Sequence, residues 1–302
     1  MDKHALVTIV TPTYNRCSHL KKLYESLEKQ FSKDFIWLIV DDGSVDDTKN
    51  VVDEFKQDSS FLIEYIYKAN GGKHTALNVA IDHVKTELLF IVDSDDVVTP
   101  DAVQTICKDW TQYMSKNLCG ISYLRGYDTA HPIGDVFPKD NQIDSFANIR
   151  VRYRIMGDKA EVWATRYLKQ FRFPVFKGER FLVESWMWLQ ISDLADMLFV
   201  NKVIYLTKYL DGGLTKSGRR LRIMCPRGGM EFSFLLMDKK YPWRDRIKNG
   251  LLYVAYSFFA HQSIFHTLSN SHCVLTMACL LPGYFLYCYW NAKYNRDGRY
   301  TI

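Results

Sequence analysis

Four short apolar runs, "ALVTIV" (5–10), "FIWLIV" (35–40), "FLIEYI" (61–66) and "LLFIV" (88–92), constrain the fold more than any other feature of the chain. They are rich in β-branched and aromatic residues, and the second and fourth show little polar alternation. A strand that is apolar on both faces must be covered on both, which is the situation of parallel strands roofed by helices. The stretches between them supply the roof. Leu20, Leu23, Tyr24 and Leu27 repeat at helical spacing with Ser18 as a cap; Val51, Val52 and Phe55 do so again, as do Ala76, Leu77, Ala80, Ile81 and Val84. The order β-α-β-α-β-α-β predicts an open, doubly wound, mainly parallel α/β sheet.

Polar clusters follow where that architecture places a site. "TPTYNR" (11–16) follows the first run, "DDGS" (41–44) the second, "NGGKH" (70–74) precedes the third helix, and "DSDD" (93–96) follows the fourth run. In open α/β sheets ligands bind beyond the carboxyl ends of the strands, where the strand order reverses. Asp93, Asp95 and Asp96 put three carboxylates within four positions. Capping the next helix needs one of them, and the rest repel. A hard divalent cation, Mn²⁺ or Mg²⁺, resolves the repulsion, because it takes carboxylate oxygens and fills its remaining positions with phosphate oxygens. Tyr14 offers an aromatic face and Arg16 a cation. The Asp-Gly turn can be an ordinary turn or can present a carboxylate to a base or a ribose. Gly71-Gly72 opens a helix whose N-terminus can meet an anion, with Lys73 and His74 beside it; the Walker spacing is absent.

Beyond about residue 110 the pattern loosens. "GDKAEVWATRYLKQF" (157–171) and "VESWMWLQISDLA" (183–195) predict helices, and "GERF" (178–181) and "YLDGGLTKSGRR" (209–220) loops. From about 221 the chain reads as helical, so the expected division is 1–110, 111–220 and 221–302. With 302 residues, 47% of them hydrophobic, a full core is expected, and a net charge of +5 is too weak to argue for nucleic acid. Seven scattered cysteines without a C-x-x-C pair read as reduced thiols. The apolar start is too short for a signal peptide, so the expected location is the cytoplasm.

"VTIVTPTYNR", "LIVDDGSVDDT", "NGGKHTALNVAI" and "FIVDSDD", in this order and spacing, resemble the nucleotide-sugar half of the family 2 glycosyltransferases. The likeness is specific over 5–100, looser over 150–215, and not seen beyond about 225. It implies a GT-A fold and inverting sugar transfer from a nucleotide donor, UDP-linked by expectation, with a D-x-D metal motif. It implies that Thr11, Pro12 and Tyr14 line the uracil pocket, with Arg16 nearby. Asp42 would accept from the base, and Lys73 would lie by the base or diphosphate. Asp93 and Asp95 would form the metal pair, with Ser94 between them in the donor site and Asp95 the direct ligand. The family's general base is a downstream acidic residue, often in an "E-D" motif. This chain has "GERFLVESW" there instead, so Glu184 is the match and Glu179 its rival. Asp211 in "LDGGLT" is either a further metal or phosphate contact or part of a glycine-rich turn.

From Gly250 to Ala292 there is no Asp, Glu, Lys or Arg, while Lys239, Lys240, Arg244, Arg246 and Lys248 precede the tract and Lys293, Arg296 and Arg299 follow it. Leu251, Val254, Ala255, Phe258, Phe265 and Leu268 form one stripe at helical spacing. Basic flanks on both sides disfavour a single span. They favour a helix lying at the inner face of the membrane, with packing on protein as the alternative. The acceptor is then expected to be a saccharide, lipid-linked and used in surface polysaccharide assembly. Two other classes share acidic strand ends. A signalling receiver module is much shorter and needs no "TPTYNR" loop, and a nucleotidyltransferase usually carries a glycine-rich basic loop after the first strand, where this chain has no glycine.

Overall fold

The computed structural model describes residues 5–207 and 218–294. The chain divides into two compact units, one of Met1–Phe173 and Met187–Tyr209, the other of Pro174–Trp186 and Leu210–Ile302.

The first unit opens with β1 (Val7–Thr13), α1 (Cys17–Glu28), β2 (Phe35–Asp41), α2 (Thr48–Asp58), β3 (Leu62–Tyr67), α3 (Lys73–His83) and β4 (Leu88–Ile91). All four strands are parallel, in the order β3-β2-β1-β4. The chain winds outward from β1 to β3 and returns to β4 on the other side of β1, so the order reverses between β1 and β4. Every residue of β1 and β4 is buried, as expected of strands apolar on both faces. α1 buries Leu20, Leu23 and Leu27, as its spacing predicts, but starts at Cys17; its N-cap is Arg16, and Ser18 lies inside the helix.

The rest of this unit adds β5 (Val97–Val98), α4 (Ala102–Tyr113), β6 (Gly120–Gly126), β7 (Gln142–Asp144), β8 (Lys159–Ala164), α5 (Thr165–Leu168), α6 (Ser185–Ile191), which belongs to it from Met187 on, and β9 (Met197–Leu206). The sheet continues β4-β8-β6-β9-β5, with β7 also on β9, and is mixed in this half. β8 corrects the helix expected over 157–171. Lys159, Ala160, Glu161 and Ala164 suit a helix by propensity. Here, however, the segment is laddered antiparallel to β4 and β6 on its two sides, and Trp163 is buried in a stack on Trp188 with ring centroids 4.5 Å apart. Pairing on both edges overrides local preference, and only Thr165–Leu168 turns helical.

The second unit contains α7 (Gly218–Met224), α8 (Pro226–Leu235), α9 (Trp243–Phe259), α10 (Ile264–Leu268) and α11 (Cys273–Tyr294). The stripe from Leu251 to Leu268 is not one helix. α9 ends at Phe259, His261 takes a left-handed turn (φ 54°), and Phe265 on α10 is 84% exposed. α11 lies against α9 through Cys279, Gly283 and Trp290. The approach is close: a Cβ on Gly283 would stand 2.7 Å from Val254.

Candidate active site

The loops after β1, β2 and β4 meet at the carboxyl edge of the first unit. The β2 loop is built on Asp42. Its carboxylate accepts from the Gly71 and Gly72 N–H groups at 2.9 and 2.7 Å and is ion-paired with Lys68, while Asn70 Nδ2 donates to its carbonyl at 2.8 Å. Two glycines make this possible. Gly72 sits at φ 93°, and a Cβ on Gly43, itself at φ 87°, would stand 2.8 Å from the Asn70 nitrogen. A carboxylate has about four acceptor positions, so one remains on Asp42 for a ligand N–H. Asp41 is turned to the chain itself, accepting from Ser44 N–H on one oxygen and the Tyr65 hydroxyl on the other, both at 2.7 Å.

On the β1 side Tyr14 is 46% exposed, leaving its ring available for stacking. Thr11 is buried, with its hydroxyl accepting from Trp37 Nε1 at 2.9 Å, and Pro12 is buried beside it. These two shape the strand end from beneath, and Tyr14 presents the accessible surface. His74 is turned into the core against the Phe173 ring, and burial holds its pKa below the ordinary value.

The acidic cluster of "DSDD" is neutralised by the chain's own cations. Asp93 is ion-paired with Lys73, the first residue of α3, and lies 3.5 Å from an Arg125 guanidinium nitrogen. Burial alone would raise its pKa, but Lys73 and Arg125 outweigh that and hold it at about 2. Asp96 is buried and pushed up to about 6, first by that burial and also by the charge of Asp93. It accepts from the Tyr205 hydroxyl at 2.8 Å, and that hydroxyl accepts from the Asp93 N–H at 2.9 Å. Asp95 is as exposed as Asp93, and among the described residues its one ion pair is with Arg16, at 2.9 Å. Ser94 is buried between the two.

Arg125 and Tyr205 are the residues that sequence reasoning misses. They come from β6 and β9, far from the motifs, and no local pattern marks them. The guanidinium of Arg125 lies 4.0 Å from the centre of the Tyr205 ring, and its Nε donates to the Lys159 carbonyl at 2.8 Å. Both are therefore fixed before any ligand arrives, and together they fix Asp93.

Among the described residues no group of three or more His, Cys, Asp or Glu could by itself hold a metal ion. The acidic pair still suits Mn²⁺ or Mg²⁺ shared with a ligand, since such ions use one or two carboxylates and take phosphate oxygens for the rest. Asp95, partly exposed and paired with Arg16 rather than with a clamped cation, is the carboxylate such an ion would use.

Glu179 and Glu184 belong to the other unit. Glu179 accepts from the Arg227 and Gly228 N–H groups, both at 2.9 Å, through its two different oxygens. It thus satisfies the N-terminus of α8, where carboxylates are favoured. Burial pushes its pKa up against the pull of those two N–H groups. Glu184 lies partly buried immediately before α6. Asp211 lies outside the described residues.

The mainly parallel sheet with its covering helices matches the GT-A class of sugar-transferring enzymes. The chain belongs to glycosyl transferase family 2, whose model matches residues 8–166. It is 25% identical over 222 residues to Glycosyltransferase GlyA of Streptococcus pneumoniae serotype 4, a match covering 70% of this chain and 31% of GlyA, so the chain spans about a third of that relative. In fold it is similar to S. aureus TarS 1-349, solved in complex with UDP-GlcNAc. There the TM-score is 0.59 at 19% identity, covering 83% of this chain and 72% of that one. It is also similar to the mannosyltransferase PcManGT from Pyrobaculum calidifontis, solved with GDP-Man and Mn²⁺. For this pair the TM-score is 0.57 at 18% identity, with coverage of 95% and 83%.

Proposed function

We propose that the chain is a metal-dependent, inverting glycosyltransferase that moves a sugar from a UDP donor to a hydroxyl of a saccharide acceptor, in surface polysaccharide assembly. The observation that carries this reading is the acidic pair at the strand-order reversal, Asp93 held by Lys73 and Arg125 and Asp95 held by Arg16, in the same unit as the exposed Tyr14 ring. Tyr14 stacks on the base and the free acceptor position of Asp42 takes a base N–H. Asp95, with Asp93 behind it, holds the divalent cation, which when bound supplies positive charge to the departing diphosphate. Glu184 takes the proton of the attacking acceptor hydroxyl as it bonds to the anomeric carbon from the face opposite the leaving group. Residues 1–110 form the donor half, 111–220 the acceptor half, and 221–302 a helical addition. The UDP-GlcNAc complex of TarS and the Mn²⁺ complex of PcManGT support the donor and metal classes. In a panel of nucleotide sugars read as thermal shifts with and without Mn²⁺, UDP-linked donors should raise Tm, and Mn²⁺ should enlarge the shift. If no nucleotide sugar shifts Tm, with or without Mn²⁺, the reading fails.

The same proposal places the enzyme at the cytoplasmic face of a membrane, acting on a lipid-linked acceptor. α11 is long and apolar enough to cross a membrane by length and composition, yet one of its faces packs on α9. Its other face leaves Val274, Met277, Leu281, Phe285 and Tyr289 exposed at helical spacing, and Lys293 follows. Insertion of that face, with roughly 1 kcal/mol from each Lys or Arg near anionic lipid, favours in-plane contact. The full chain should float with anionic liposomes at low salt and be released at high salt. If it stays in the soluble fraction at low salt, the apolar face serves another purpose.

A further inference from the structure

Arg16 stands at a place a helix would not choose for it. It is the N-cap of α1, where the helix dipole disfavours a cation. What holds it is Asp95, at 2.9 Å, and among the described residues its guanidinium has no other hydrogen-bonding partner. The pair is open, with the two side chains 34% and 27% exposed. The other cations of the cluster are engaged on Asp93: Arg125 is also clamped by the Lys159 carbonyl and the Tyr205 ring, and Lys73 pairs with Asp93 from the start of α3. Among the described residues Arg16 is thus the counter-ion of Asp95 alone, and it covers a partly exposed carboxylate that a metal would need.

We propose that Arg16 is a placeholder cation: it neutralises Asp95 while the donor site is empty, and passes to the diphosphate when a metal–nucleotide complex claims Asp95. This rests on the metal-dependent donor site proposed above and adds an ordering to it. Without nucleotide, Arg16 competes with the divalent cation for one carboxylate and adds like-charge repulsion, so free metal binds poorly. With nucleotide, the same guanidinium gains phosphate oxygens suited to its planar fork, and the competition becomes assistance. Metal and donor then bind with positive coupling, as a complex.

The test is Mn²⁺ binding to the full chain by electron paramagnetic resonance, without and with UDP. Without UDP, Arg16→Gln should bind Mn²⁺ about 3–10-fold tighter than wild type, the range expected when a partly exposed competing cation is removed. At saturating Mn²⁺ the same variant should bind UDP about 10-fold more weakly, having lost a charge-assisted phosphate contact. Arg16→Lys, which keeps the charge without the fork, should give a smaller change in each direction. Equal or weaker Mn²⁺ binding by Arg16→Gln without UDP, with wild-type Mn²⁺–UDP binding intact, overturns the placeholder and leaves the donor site standing. An unchanged UDP affinity overturns the handover to phosphate. Absence of Mn²⁺ binding in both proteins even with UDP overturns the metal site and the placeholder together.

Discussion

Asp95→Asn should abolish sugar transfer and remove nearly all Mn²⁺-dependent donor binding, while the protein stays folded. The substitution replaces a charged oxygen donor by a neutral amide at the carboxylate that a shared metal would reach, and an ion of this hardness loses most of its affinity with that charge. The fold should be indifferent, because among the described residues the only ion pair Asp95 makes is the open one with Arg16, and such pairs contribute about 1 kcal/mol or less. Asp93 is unsuited to the same test. It pairs with both Lys73 and Arg125, and its loss would leave the buried Arg125 guanidinium, among the described residues, only its longer 3.7 Å pair with Asp96, so structural and chemical damage would mix. Calorimetric titration of Mn²⁺ with UDP into Asp95→Asn checks the prediction beside a thermal melt. Full metal-dependent binding at unchanged Tm would place the metal elsewhere.

The parts of this structure that were legible in sequence are those whose cause is local. β1, β2, β3 and β4 could be read because a strand buried on both faces leaves an apolar run, and the helices between them because one-sided burial leaves a helical period. The end-of-strand clusters could be read because this topology gathers them onto one edge. β8 was misread because its residues favour a helix, whereas the partners that make it a strand, β4 and β6, lie far away in the chain. The same distance hid Arg125 and Tyr205. Each brings a function to Asp93 that neither β6 nor β9 announces, since an Arg and a Tyr in a strand are ordinary residues until the sheet stacks one on the other. Glu179 is a further case. As text, "GERF" and "VESW" offer equivalent glutamates. Only the fold reveals that one of them is bonded to the start of α8.

That difference sharpens the choice of general base. Glu184→Gln should lower kcat by about 10²–10⁴-fold with donor KM nearly unchanged, the pattern of a lost proton acceptor that does not touch the donor. Gln keeps the size and the hydrogen-bonding reach of the side chain, so folding and UDP binding should persist and the loss should appear in turnover. Glu179→Gln should do the reverse. A glutamine has one carbonyl oxygen where α8 presents two N–H donors, so one donor would face an NH₂ group and the helix terminus would lose about 1–2 kcal/mol. Tm should fall by several degrees, while kcat per folded molecule stays near wild type. The two variants therefore exchange signatures, one in rate and one in stability. Measuring kcat, donor KM and Tm on both separates the roles without a ligand-bound structure. If Glu179→Gln proves catalytically dead at wild-type Tm and Glu184→Gln stays active, Glu179 is the base and its bonds to α8 must break during turnover.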